Sequence, residues 1–128
     1  MNYLDIFDRA KVWIEYVHFL NKKYYKNDFL EIGAGIGSFT DRYKKNIKNI
    51  FLTEVDKNNL NILKEKYKND ANITVLESEI INVSQKFNTI AYFNVLEHIK
   101  NDKDEIINCL DKINKDGYLV ILVPAHNE

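Results

Sequence analysis

Three of the chain's four glycines, Gly33, Gly35 and Gly37, fall within five residues directly after the apolar run Phe29-Leu30-Glu31-Ile32. Glycine supplies φ > 0 and lets backbone approach a ligand closely, so Gly33-Ala34-Gly35-Ile36-Gly37 at a strand-to-helix turn reads as a ligand-cradling loop. Carboxylates accompany it. Glu31 sits inside the run that should be most buried, where an unpaired charge costs on the order of 2–7 kcal/mol or more. It must therefore be capped by loop N–H groups, help orient a cationic ligand group, or do both. Glu54 closes the next apolar run about 20 residues after the first glycine, where a carboxylate accepts the hydroxyls of a ribose. Asp56 competes for that role but is better placed to cap the helix that begins at Lys57. Glu79, followed by Ile80, has the types to accept from an adenine amino group while the isoleucine covers the ring. Glu77 and Glu79 as solvated strand-end charges is the opposing reading. Further on, Glu97 and His98 are adjacent proton acceptors.

The glycine spacing separates ligand classes. A dinucleotide loop places its third glycine or alanine one position later than Gly37, where this chain has Ser38. A nucleoside ligand without a pyrophosphate suits the loop better.

These residues need elements to hold them. Apolar runs at 28–32, 50–54, 73–77, 89–93 and 118–123 alternate with helical patterns at 38–45, 57–68 and 102–113, the mark of βαβ units. Right-handed crossovers then give a parallel sheet ordered 3-2-1-4-5, with ligands at the strand C-termini. The last helix has Ile106, Cys109, Leu110 and Ile113 as its inward stripe; Asp56 and Asp102 read as the N-caps of the second and the last of these helices. Gly117 reads as an ordinary turn before the last strand. Before the first strand, Phe7, Ala10, Ile14, Val17 and Tyr24 follow helical spacing, and Val12, Trp13, Tyr16 and Phe19 make a second stripe. A helix that buries two faces is expected, by packing on the sheet rather than as a lid or an oligomer contact. One domain spans 1–128, with the helix over 1–27 and an α/β core over 28–128.

Composition narrows the class. The chain has 128 residues, 29% of them charged and 45% hydrophobic, with a net charge of -1. That is a folded domain without a basic field for nucleic acid or anionic membranes. The lysines at 44, 45 and 48 and at 64, 66 and 68 read as solvated faces. One cysteine, Cys109, forms no internal disulfide, and no signal pattern or bilayer-length apolar run is present, so a soluble cytoplasmic protein is expected.

Phe29-Leu-Glu-Ile-Gly-Ala-Gly-Ile-Gly37, Glu54 closing strand two, Ser78-Glu79 after strand three, Asn94-Val-Leu-Glu-His98 after strand four and Lys115-Asp-Gly117 together resemble the class I S-adenosylmethionine-dependent methyltransferases. The likeness runs from about Phe29 to Pro124. It implies a Rossmann-like three-layer sandwich with S-adenosylmethionine as cofactor and S-adenosylhomocysteine as product. Gly33, Ala34, Gly35 and Gly37 would cradle the methionine and ribose, and Glu31 would contribute to the amino-group environment. Glu54, with Val55 beside it, would bind ribose; Glu79 and Ile80 would frame adenine, and the Asn94 backbone would lie near the methionine end. The chemistry implied is in-line methyl transfer driven by alignment, for which effective molarities of about 10⁵–10⁸ M set the scale. Glu97 or His98 would take a proton from the acceptor.

Some family members bind a divalent metal through Glu-x-x-Glu-His. Here Asn94 replaces the first Glu, so a site at Asn94, Glu97, His98 and His126 is disfavoured and no metal is expected. An Asn/Asp-Pro-Pro-Tyr/Phe exit is missing, and Cys109 reads as core, which disfavours the amino-methylating and cytosine-C5 nucleic-acid classes. The acceptor stays open among small molecules, lipids, saccharides and proteins. The family fold continues past strand five, so the chain is expected to be a truncated form or a minimal domain. Its last strand, 118–123, is then an open apolar edge that invites self-association or a partner. The competing readings are a non-catalytic S-adenosylmethionine or S-adenosylhomocysteine binding module and a dinucleotide oxidoreductase.

Overall fold

The computed structural model describes residues 3–125. Five parallel strands, β1 (Phe29–Ile32), β2 (Ile50–Thr53), β3 (Ile73–Leu76), β4 (Phe87–Phe93) and β5 (Ile113–Leu122), form one sheet in the order β3-β2-β1-β4-β5. Helices α1 (Tyr3–Asn21), α2 (Thr40–Tyr43), α3 (Lys57–Lys66) and α4 (Asp102–Leu110) surround it. This is the expected Rossmann-like sandwich, with the order of winding reversing between β1 and β4.

The period-two alternation of β1 sorts its side chains into two cores. Phe29 packs with Val17, Tyr43, Ile50, Leu52, Leu63 and Phe93 on one face. Leu30 and Ile32 pack with Ile80, Phe87, Ile90, Tyr92 and Cys109 on the other. A strand covered on both sides has no polar face to spare, which is why all four β1 residues are buried. Cys109 is core, and burial pushes its thiol up to about 11.

Four sequence expectations require correction. First, α1 does not bury two faces. Val17 and His18 are buried, but Val12, Trp13, Tyr16 and Phe19 are exposed, as is Ala10. The helix leans on α2 through one narrow side, fixed by Arg42 Nη2 donating to Glu15 Oε1 at 2.7 Å; the side chain of Phe7 lies outside the described residues. Second, α4 ends at Leu110, and Ile113 opens β5 instead of closing the helix. Leu110 is accordingly exposed. Third, the turn at Gly117 lies within β5. The register passes from Phe87↔Ile113 to Thr89↔Tyr118, so Asn114–Gly117 bulges out opposite Asn88. A Cβ at Gly117 would stand 2.8 Å from the Asn88 carbonyl oxygen. Fourth, Asp56 caps α3, accepting from the Asn59 N–H at 2.9 Å, whereas the cap of α4 is Asn101 and makes no side-chain cap bond. No described helix is long and apolar enough to cross a membrane.

Asp56→Ala should lower unfolding free energy by about 1 kcal/mol in urea titration, while Asp102→Ala should change it by less than about half of that.

Candidate functional site

The C-terminal ends of β1, β2, β3 and β4 enclose a cavity of about 230 Å³. Ile32 and Gly33 come from β1 and its exit, Thr53, Glu54 and Val55 from β2, Ser78, Glu79 and Ile80 from the β3 exit, and Val95, Ile99 and Glu105 from the far side. Its walls are apolar, with three carboxylates and neither Lys nor Arg in the described lining.

Glu54 organises the mouth. It is buried, its Oε1 accepts from the N–H groups of Val55 and Asp56 at 3.0 Å each, and its Oε2 accepts from the Gly35 N–H at 2.7 Å. The glycine loop is also tied to β2 by Ala34 N–H to the Thr53 carbonyl at 2.9 Å and by Gly33 N–H to Thr53 Oγ1 at 3.3 Å. From outside, Lys66 Nζ donates to the Ile36 carbonyl at 2.9 Å and Tyr67 OH to that of Gly37 at 3.1 Å.

The three glycines all have positive φ, at 67, 61 and 87°, for different reasons. A Cβ on Gly33 would meet Val95 at 2.8 Å, and one on Gly37 would meet the Tyr67 hydroxyl at 2.2 Å. Gly35 faces open space.

Residues 7–128 match a methyltransferase domain. The chain belongs to that family. The methyltransferase domain is 30% identical over 79 residues to ribosomal RNA small subunit methyltransferase A of Pediococcus pentosaceus, covering 62% of this chain and 23% of that protein. Its fold is similar to an S-adenosylmethionine-dependent methyltransferase of Clostridium acetobutylicum (TM-score 0.73, 16% identity, 88% of this chain and 49% of the other). It is also similar to the N-methyltransferase NodS of Bradyrhizobium japonicum, solved with S-adenosyl-L-homocysteine (TM-score 0.73, 18% identity, 89% and 59%). The chain thus spans about half the length of those structures and under a quarter of the ribosomal RNA enzyme.

Within this methyltransferase domain, Gly33, Glu54, Val55, Glu79 and Ile80 line the cavity together. Ala34, Gly35 and Gly37 form the loop beside it, outside the lining. Asn94 stands exposed at the β4 exit with φ 56°, its N–H donating to the Leu122 carbonyl at 2.9 Å. A non-glycine residue in the left-handed region is uncommon and concentrates at functional turns. Glu97 and His98 follow in a 3-10 turn, exposed, with Oε1 and Nε2 3.7 Å apart. His126 lies outside the described residues. Ile99 and Glu105 are cavity residues that sequence reading did not single out. Glu105 lies one turn into α4, where the Tyr92 hydroxyl donates to it at 2.8 Å, a contact between elements that no sequence signal marks.

Glu31 lies beneath the loop. Its partners are the Thr40 hydroxyl at 2.7 Å and the Tyr43 hydroxyl at 2.5 Å, both on Oε1, instead of loop N–H groups. Burial raises its carboxyl to about 7; the two hydroxyl bonds oppose the rise, and the Asp41 and Glu54 carboxylates add to it. An acid whose folded value lies above its ordinary 4.5 binds a proton more tightly when folded. Stability therefore falls as pH rises from about 4.5 to about 7 and is flat above. The drop is up to about 3 kcal/mol. Glu31→Gln should erase that slope in pH-dependent urea unfolding and be no less stable than the parent at pH above the window.

Gly37→Ala should cost several kcal/mol, since it sets a strained φ against the Tyr67 ring, while Gly35→Ala should cost only about 1 kcal/mol. Thermal melts of the two variants test this ordering.

Proposed function

We propose that this chain binds S-adenosylmethionine at the β1–β2–β3 exits and transfers its methyl group to an acceptor at the β4 exit. The observation that carries the reading is the Glu54 carboxylate, held by three N–H groups and facing an apolar, cation-free cavity. Such a lining fits a nucleoside: apolar walls suit a base, carboxylates suit hydroxyl and amino donors, and a phosphate would meet only negative charge. At about 230 Å³ the cavity suits the nucleoside portion, leaving the amino-acid portion to the glycine loop and the Asn94 backbone.

When bound, the cofactor supplies a methyl group already activated on a sulfonium. The chain's own residues then have positional work. Glu54 accepts from ribose hydroxyls. Glu79 accepts from the adenine amino group while Ile80, almost wholly buried, gives the ring a fixed wall. Val55 covers the opposite side. Gly33, Ala34, Gly35 and Gly37 let backbone approach without side-chain obstruction, and the Glu31 carboxyl, fixed by Thr40 and Tyr43 and raised to about 7 by burial, gives up its proton when the cationic amino end sits above it. Glu97 or His98, on the turn that follows β4, takes the proton that the acceptor loses, the His98 side chain being the more exposed of the two.

A reducing cytoplasmic compartment suits a chain with a single buried thiol, Cys109. The outer edge of β5, with Tyr118, Ile121 and Val123 exposed, offers backbone to which a further strand can add.

Calorimetric titration with S-adenosylmethionine, S-adenosylhomocysteine and NADH tests the assignment. Both adenosyl ligands should bind and NADH should not. Glu54→Ala should weaken binding by about 1–3 kcal/mol. Because that change also strips the Gly35 N–H of its acceptor, Glu54→Gln is the companion variant: its oxygen still serves the Val55 and Asp56 N–H groups while its NH2 faces the Gly35 N–H, so affinity should fall with a smaller loss of melting temperature than in Glu54→Ala. NADH binding, or full affinity in both variants, would overturn the reading; binding without transfer to any acceptor would leave a cofactor-binding module.

A further inference from the structure

We infer that α1 is an interaction surface for a second copy of this chain, paired antiparallel about Trp13. Ile6, Val12, Trp13, Tyr16, Phe19 and Leu20 are 47–70% exposed, although α1 also carries a side that packs on the domain through Val17 and His18. Ile6, Trp13 and Leu20 are seven residues apart, and Tyr16 and Phe19 flank them at helical spacing. That is a continuous seam along the helix, of the period that packs against another helix. Isolated surface apolar residues need no explanation; a contiguous stripe of six does.

The area fits a pair. Trp13, Tyr16 and Phe19, at about 150–250 Å² each, and the smaller Ile6, Val12 and Leu20, all about half exposed or more, together present about 600 Å². Two such stripes bury about 1,200 Å² together, the lower bound for a specific interface.

Charge selects the orientation. Asp5 and Asp8 lie in the first turns of α1, and Lys22 and Lys23 lie just past its end. Antiparallel pairing sets Ile6 against Leu20 of the second copy and brings Asp8 within a turn of that copy's Lys22, while Arg9 and Lys11 offset the remaining charge of the first turns. Parallel pairing would set like charges together. Arg9, the charged residue within the stripe, then lies opposite Val17, within one turn of Trp13 and Tyr16 of the second copy, where a guanidinium is tolerated.

The test needs no label, because Trp13 is the chain's one tryptophan. Sedimentation of the whole chain over a concentration series should show the mass doubling from 15.1 kDa, and Trp13 emission should shift to shorter wavelength over the same range. Leu20→Lys should abolish both without changing the circular dichroism spectrum, Asp8→Lys should weaken pairing several-fold, and Ile121→Lys on the β5 edge should leave it unchanged. A monomer at every concentration overturns the inference. So does a dimer that survives Leu20→Lys or is lost with Ile121→Lys, and an unchanged Asp8→Lys overturns the antiparallel orientation.

Discussion

The Glu54 carboxylate is the constraint on which the upper half of the molecule depends. Its two oxygens satisfy the N–H groups of Val55, Asp56 and Gly35, joining the end of β2 to a loop that leaves β1. Without it three N–H groups at a partly closed surface would lose their acceptor, and the loop would be tied to β2 only through Thr53. A buried carboxylate is costly, so it persists where several donors surround it. The same arrangement fixes the orientation of an acceptor at the rim of the cavity. The structural role and the proposed ribose contact therefore rest on the same two oxygens, which is why an amide variant that keeps one of them is more informative than truncation.

Much of the fold was legible because each strand is a short apolar run bounded by polar turns, and right-handed crossovers leave few orders for five parallel strands. The glycine loop and Glu54 were legible for a related reason: φ > 0 and a strand-end carboxylate leave marks in residue type. Contacts across elements leave none. Nothing near Gly37 in sequence announces Tyr67, thirty residues on, yet its hydroxyl is what forbids a side chain there. Glu105 reaches the cavity only because α4 crosses the β4 exit.

Periodicity misled at two places for different physical reasons. In α1 the apolar positions are helical on both sides, and spacing alone cannot tell a face covered by the sheet from one left bare; the short α2 gives the helix room for one line of contact, through Arg42 and Val17. At the α4–β5 junction, Ile113 continues the helical stripe in spacing. It also begins the pairing opposite Phe87, and the ladder wins because a buried strand end must satisfy its backbone groups: Phe87 N–H donates to the Lys112 carbonyl at 2.7 Å.

The buried Glu31 shows how the two halves of the site are coupled. Tyr43 and Thr40 reach it from α2, so the helix that follows the glycine loop is anchored to the strand that precedes it through one carboxylate oxygen. Tyr43 in turn packs against Phe29 and Tyr25, which places the aromatic core of one sheet face and the polar floor of the loop on the same side chain. A hydroxyl deletion at Tyr43 would keep that packing and remove only the anchor. An apolar pair in place of Glu31 and Tyr43 would satisfy the core equally well. What the carboxyl adds is a directed tie from β1 to α2 at the base of the glycine loop, through the Thr40 and Tyr43 hydroxyls, which an apolar pair could not supply.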